Sequence, residues 1–75
     1  MRRFDAVALF TALDAQRVAR GLTWPQVARE TGVSVSTIKR TALGGRMEVD
    51  GMLALVGWLG LPVERFVRDA ERQQD

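Results

Sequence analysis

The sequence predicts an all-α domain of five short helices, and three observations carry that expectation. Two segments place apolar residues at i, i+3, i+4 and i+7, the spacing that lines one face of a helix. They are Ala6, Leu9, Phe10 and Leu13 in the first, and Met52, Leu55, Val56 and Leu59 in the second. Glycines and capping residues punctuate the chain where helices stop and start. No stretch alternates apolar and polar residues for long enough to make a half-buried strand. At 75 residues the chain has room for one domain, because compact domains rarely fall below about 50 residues.

The elements follow in order. The first helix is expected from about Phe4 to Arg20, ended by Gly21 in a left-handed cap. Thr23-Trp24-Pro25-Gln26 opens the second: Thr23 is the N-cap, Pro25 sits in the first turn, and Gln26 completes a capping box. Gly32 ends that helix early. Ser34 caps a third helix through Ser36, Thr37, Ile38, Lys39 and Arg40, which Gly44-Gly45 stop. Asp50 is the expected cap of the fourth helix, and Gly60 closes it. Pro62 opens a fifth, in which Val63, Phe66 and Val67 face inward. The domain spans residues 1–68 in this reading, and 69–75 form a polar tail that frays.

Composition narrows the chemistry. The chain is 47% hydrophobic and 27% charged, the balance of a globular domain rather than a disordered segment. Without cysteine it has no disulfide, no thiolate zinc site and no thiol nucleophile; without histidine it lacks the usual general base and the commonest metal ligand. There is no G-x-x-x-x-G-K phosphate loop and no paired carboxylate constellation. No apolar run approaches the ~18 residues of a membrane span, and Met1-Arg2-Arg3-Phe4-Asp5 does not begin a signal peptide. A cytoplasmic protein that is not an enzyme, with no cofactor, no metal and no membrane partner, is the expectation.

The net charge of +2 conceals a division. Residues 1–46 hold eight basic against three acidic residues, a net +5, whereas residues 47–75 hold three basic against six acidic, a net −3. Ten of the eleven basic residues are arginine, whose planar fork suits phosphates and guanine edges. Such a division fits a polyanion-facing surface on one side of the molecule, or a solvated surface whose charges cluster.

Residues 22–46 carry the most information. Two short helices joined by a glycine turn, the second bearing exposed cations, describe a helix-turn-helix over about 23–43. Ala28 allows the two helices to approach, Gly32 supplies a sharp turn with positive φ, and Ile38 anchors the second helix beside Val27 and Val33.

At these residues the chain resembles the phage Cro and lambda-repressor type of helix-turn-helix domain, the XRE-like family. The resemblance lies in Gly21-Leu22-Thr23, Val27-Ala28, Thr31-Gly32-Val33-Ser34, Ser36-Thr37-Ile38-Lys39-Arg40 and Gly44. It continues through Leu55-Val56 and Leu59-Gly60-Leu61 to Phe66, covering about residues 12–67. It implies a five-helix lambda-repressor-like fold, major-groove binding of double-stranded DNA by the third helix, a homodimer on a palindromic operator, and a bacterial or phage-encoded protein. The chain departs from the family at Trp24, where Gln or Ser is common, and at Val35, where a base-reading Gln is common. Thr41 and Ala42 replace a frequent large apolar residue and a frequent Glu, whose partner would be the residue matching Arg17.

A helix entering the major groove presents its first residues to base edges, which makes Val35, Ser36, Thr37 and Arg40 the base-reading candidates. Arg40 can grip guanine O6 and N7, or a phosphate; Val35 can pack on a thymine methyl or simply start the helix; Thr37 can instead support the N-terminal turn. Phosphate candidates are Thr23, Trp24, Gln26, Lys39 and Arg46. Trp24 offers an indole N–H to phosphate or serves packing, and Arg46 is a contact or a solvated cation after the helix stop. Arg2 and Arg3 form a basic arm or merely aid solubility. Leu53, Trp58, Val63 and Phe66 are candidates for a dimer interface, with Trp58 filling a gap in the monomer core as the alternative. Two functions fit: a sequence-specific transcriptional regulator, comparable to a small Cro-like repressor or controller protein, or an antitoxin-like or adaptor module that holds a protein partner through the acidic half.

Overall fold

A computed structural model describes residues 2–69. Four α-helices carry the fold: α1 (Ala6–Arg20), α2 (Trp24–Thr31), α3 (Val35–Arg40) and α4 (Val49–Leu59). Single 3-10 turns follow at Thr41–Leu43 and Val63–Phe66. Two short strands, β1 (Arg2–Phe4) and β2 (Val67–Asp69), pair antiparallel with Arg3 opposite Arg68.

One core runs through the described residues. Leu9 and Leu13 of α1, Val27 of α2, Val33 of the turn, Ile38 of α3, Leu55 and Val56 of α4, and Phe66 are buried together. Both predicted stripes turn toward this core, although Met52 and Leu59 are only half-buried at its margin and Phe10 is half-buried beside Trp24. The expected stops at Gly21, Gly32 and Gly60 all adopt left-handed backbone. Thr23 and Ser34 cap as anticipated: each side chain accepts the N–H three residues on, from Gln26 and from Thr37.

Four expectations need correction. The molecule is mostly helical but not all-α, and the fifth helix is absent. After Pro62 the chain makes one 3-10 turn and then extends at Val67, because a β-branched residue there pairs with Phe4 rather than continuing a helix. Arg2 and Arg3 therefore lie in a strand and not in a basic arm, and Asp69 belongs to β2 rather than to the frayed tail. The remainder of that tail, 70–75, lies outside the described residues. The third helix runs to Arg40 as expected, and a 3-10 turn from Thr41 carries the chain to its stop at Gly44 (φ +77°). Finally, α4 begins at Val49 with Glu48 as N-cap, so Asp50 sits in its first turn, where its charge favours the positive end of the helix dipole.

Asp5 joins the sheet to the bundle. Its side chain accepts the Ala8 N–H (2.9 Å) to cap α1, and its backbone N–H donates to the Phe66 carbonyl (2.6 Å). Its second carboxylate oxygen lies 3.3 Å from the Arg68 Nε. The Phe4 and Phe66 rings meet at 6.0 Å just beneath. Asp5→Ala is expected to cost about 1 kcal/mol of unfolding free energy through loss of the cap. Asp5→Asn keeps a capping oxygen and loses only a solvent-screened ion pair, so it should cost about 0.5 kcal/mol or less. Urea unfolding followed by circular dichroism separates the two.

Candidate nucleic-acid interface

The α2–turn–α3 unit is built by local rules. Gly32 turns the backbone at φ +76°, a conformation that costs residues with a Cβ about 1–2 kcal/mol. The Thr31 hydroxyl donates to the Val27 carbonyl (2.9 Å) and accepts the Val33 N–H (3.2 Å), which tightens the same turn. Ile38 is fully buried, and this fixes how α3 is rolled. At 100° per residue, Ser36 and Arg40 point directly away from the core, with Val35 and Lys39 on one flank and Thr37 on the other.

Each base-reading candidate has a defined setting. Ser36, Lys39 and Arg40 are exposed, while Val35 and Thr37 are half-buried. Thr37 does support the turn: the Ser34 hydroxyl donates to its Oγ1 at 2.8 Å. The Ser36 hydroxyl lies 3.4 Å from that of Ser34. Among the described residues, Lys39, Arg40 and Arg46 make no ion pair or side-chain hydrogen bond. Thr37, Arg40 and Arg46 line a cleft of about 490 Å³ between α3 and the start of α4, whose other wall carries Glu48 and Asp50. That acidic wall was not singled out in the sequence, because it forms only when residues 45–51 fold back against α3.

The phosphate candidates at the start of α2 are more tightly held than their spacing implied. Trp24 is half-buried, its ring stacked on Phe10 at 5.3 Å and covered by the Arg17 guanidinium at 4.7 Å. Arg17 is in turn fixed by Asp14 (2.8 Å) and by the Leu22 carbonyl (3.0 Å). The Trp24 ring is thus held by packing, while its indole N–H has no acceptor among the described residues. Gln26 is oriented by the capping box. Its Oε1 accepts from the Thr23 N–H at 2.8 Å and the Thr23 hydroxyl at 3.2 Å. A backbone N–H can only donate, so the amide NH₂ of Gln26 must face away. Two side-chain donors therefore flank the positive end of α2, an arrangement that can meet phosphate oxygens.

The dimer candidates divide. Phe66 is buried in the monomer core and cannot meet a second copy, and Val63 is half-buried against that core. Trp58 is committed within the chain: its indole N–H donates to Glu30 Oε1 at 2.8 Å, and Arg20 covers its ring at 4.5 Å. Leu53 alone of the four is exposed.

Among the described residues no three acidic side chains gather closely enough to hold a metal ion, and no helix is long and apolar enough to cross a membrane. No family model, curated protein or solved structure matches the chain. Gly32→Ala is expected to lower stability by about 1–2 kcal/mol, although an added Cβ would meet nothing within 4 Å. A thermal melt checks this: an unchanged midpoint would mean that the turn does not need left-handed backbone.

Proposed function

We propose that the chain is a helix-turn-helix module that binds double-stranded DNA in the major groove through α3, and that it acts as a small transcriptional regulator. The observation that carries this reading is the outward face of α3. Ser36 and Arg40 stand opposite the buried Ile38, and Lys39 and Arg40 have no partner among the described residues. Cations held on a rigid helix and left unpaired are available to phosphates and guanine edges. The Trp24 and Gln26 donors at the head of α2 support the same reading, since a backbone phosphate would there meet N–H groups already oriented. The likeness of residues 21–44 to the Cro and lambda-repressor motif supports it independently. One copy presents one α3, so a pair of copies on an inverted repeat would double the contacts.

In this reading Arg40 contacts bases and Lys39 contacts phosphate. Arg40→Ala should weaken binding to the preferred site by about 1–3 kcal/mol and relax preference at one base pair. Lys39→Ala should weaken all duplexes alike and reduce the salt slope by about one unit. Selection of sites from a random duplex pool near physiological salt, followed by titrations of the two variants, tests both. An enriched inverted repeat supports the regulator. Salt-sensitive binding with no enriched sequence would remove the sequence-specific reading.

Trp24→Phe separates packing from contact at the head of α2. The phenyl ring retains much of the stack on Phe10, so stability should fall by less than about 1.5 kcal/mol. Affinity for all duplexes should fall together, because the lost N–H addresses phosphate rather than a base. Fluorescence-anisotropy titration against two unrelated duplexes gives the ratio; a change in base preference would contradict the assignment.

A further inference from the structure

We propose that the cleft between α3 and the start of α4 is a binding site for a small zwitterion, a free amino acid with an apolar side chain. DNA binding makes use of Arg40 but gives no role to the two carboxylates on the wall opposite. The site stands apart from that function; only its effect on DNA, argued last, rests on it.

The charges of the cleft select its ligand. Arg40 and Arg46 line it together with Glu48 and Asp50, and none of the four side chains makes an ion pair or hydrogen bond among the described residues. Glu48 is the N-cap residue of α4, yet its carboxylate makes no capping bond. Two cations and two anions therefore share one concave surface and leave each other unpaired. A phosphate would meet the guanidiniums but also two like-charged carboxylates, and a diamine would meet the reverse. A molecule with one carboxylate and one ammonium finds an opposite charge at each end. A guanidinium fork receives the carboxylate through two parallel N–H bonds, and Glu48 and Asp50 accept the ammonium hydrogens.

Shape and lining set the rest. Val33, Met47 and Ala54 give the cleft an apolar part, and apolar lining with a few converging polar groups is the usual make-up of a small-molecule site. Its volume of about 490 Å³ lies toward the lower end of the range of about 300–1,000 Å³ for such sites, which suits an amino acid. Both walls are fixed in advance. On the α3 side the Ser34 hydroxyl donates to Thr37 at 2.8 Å, and the Thr41 hydroxyl donates to the Ile38 carbonyl at 2.6 Å. On the other side, a Cβ at Gly44 would come within 3.3 Å of Val7, so the loop leaving α3 rests on α1, and Met47 and Ala54 pack against the core. A preformed site loses little affinity to ordering. A carboxylate held by Arg40 occupies the donors that would otherwise grip guanine, so the filled cleft releases DNA and the amino acid acts as an inducer.

Leucine titrated into the isotope-labelled full chain at constant ionic strength, to about 10 mM, should shift the amide resonances of Thr37 and of residues 45–51 along one saturating curve. Sodium acetate and methylammonium chloride, with one charge each, should bind about tenfold more weakly or worse. Arg40→Gln, and separately the pair Glu48→Gln with Asp50→Asn, should each weaken leucine binding about tenfold, while a dispersed amide spectrum shows that each variant is folded. Leucine at saturation should also weaken duplex binding by the parent chain about tenfold in an anisotropy titration. Absence of shifts at about 10 mM, shifts that acetate or methylammonium reproduces, or shifts that both sets of substitutions leave intact would overturn the site. Leucine that saturates the cleft and leaves duplex affinity unchanged would overturn the inducer role alone. A parent chain that binds no duplex would sink the regulator, and the resonance shifts would still decide the site.

Discussion

A helix of six residues cannot hold itself together in water, and that limit governs how this molecule is built. The nucleation cost of helix formation leaves isolated segments shorter than about 12 residues marginal, and α3 spans only Val35–Arg40. Its order comes from outside. Ile38 is buried between Val27, Val33 and the α1 and α4 side chains, Ser34 caps its first turn, and the Thr41 hydroxyl donates to the Ile38 carbonyl at 2.6 Å to close its last. The roll of α3 about its axis is set by one buried side chain. Every statement about which of its residues faces outward follows from that.

The arginines of α1 show that formal charge and available charge differ. Arg17 and Arg20 contribute to the net +5 of residues 1–46, but each is laid over a tryptophan, and Arg17 is also paired with Asp14. They act as covers for Trp24 and Trp58, which join α1 to α2 and α4 to α2. The cations on α3 have no such employment. The cations available in the basic half are therefore fewer than a count of residues conveys, because Arg17 and Arg20 already have partners whereas Lys39 and Arg40 of α3 have none among the described residues.

The parts of the fold legible in sequence were those written locally. The capping box at Thr23 and Gln26, the serine cap at Ser34 and the left-handed glycines depend on neighbours within a few residues, and each appears where its spacing placed it. What escaped depends on residues far apart. A strand of three residues has no periodicity to detect, and β1 exists only because Val67–Asp69 returns beside it. The same long-range pairing stands where the fifth helix was expected. At the candidate site, the identities of Ser36, Lys39 and Arg40 could be read directly. The orientation of Gln26, the clamp on Trp24 and the acidic wall of the cleft could not, because each depends on where a distant element comes to rest.

The two clamped indoles have a use outside folding and binding. The chain contains no tyrosine, so its near-ultraviolet emission comes essentially from Trp24 and Trp58. One is wedged between Phe10 and Arg17 at the donor end of α2; the other ties α4 to Glu30 beneath Arg20. The molecule thus carries two optical probes at separate stations, and replacing either one isolates the signal of the other. Local opening at the head of α2 and loosening of α4 can be followed as distinct spectroscopic events, with no label attached.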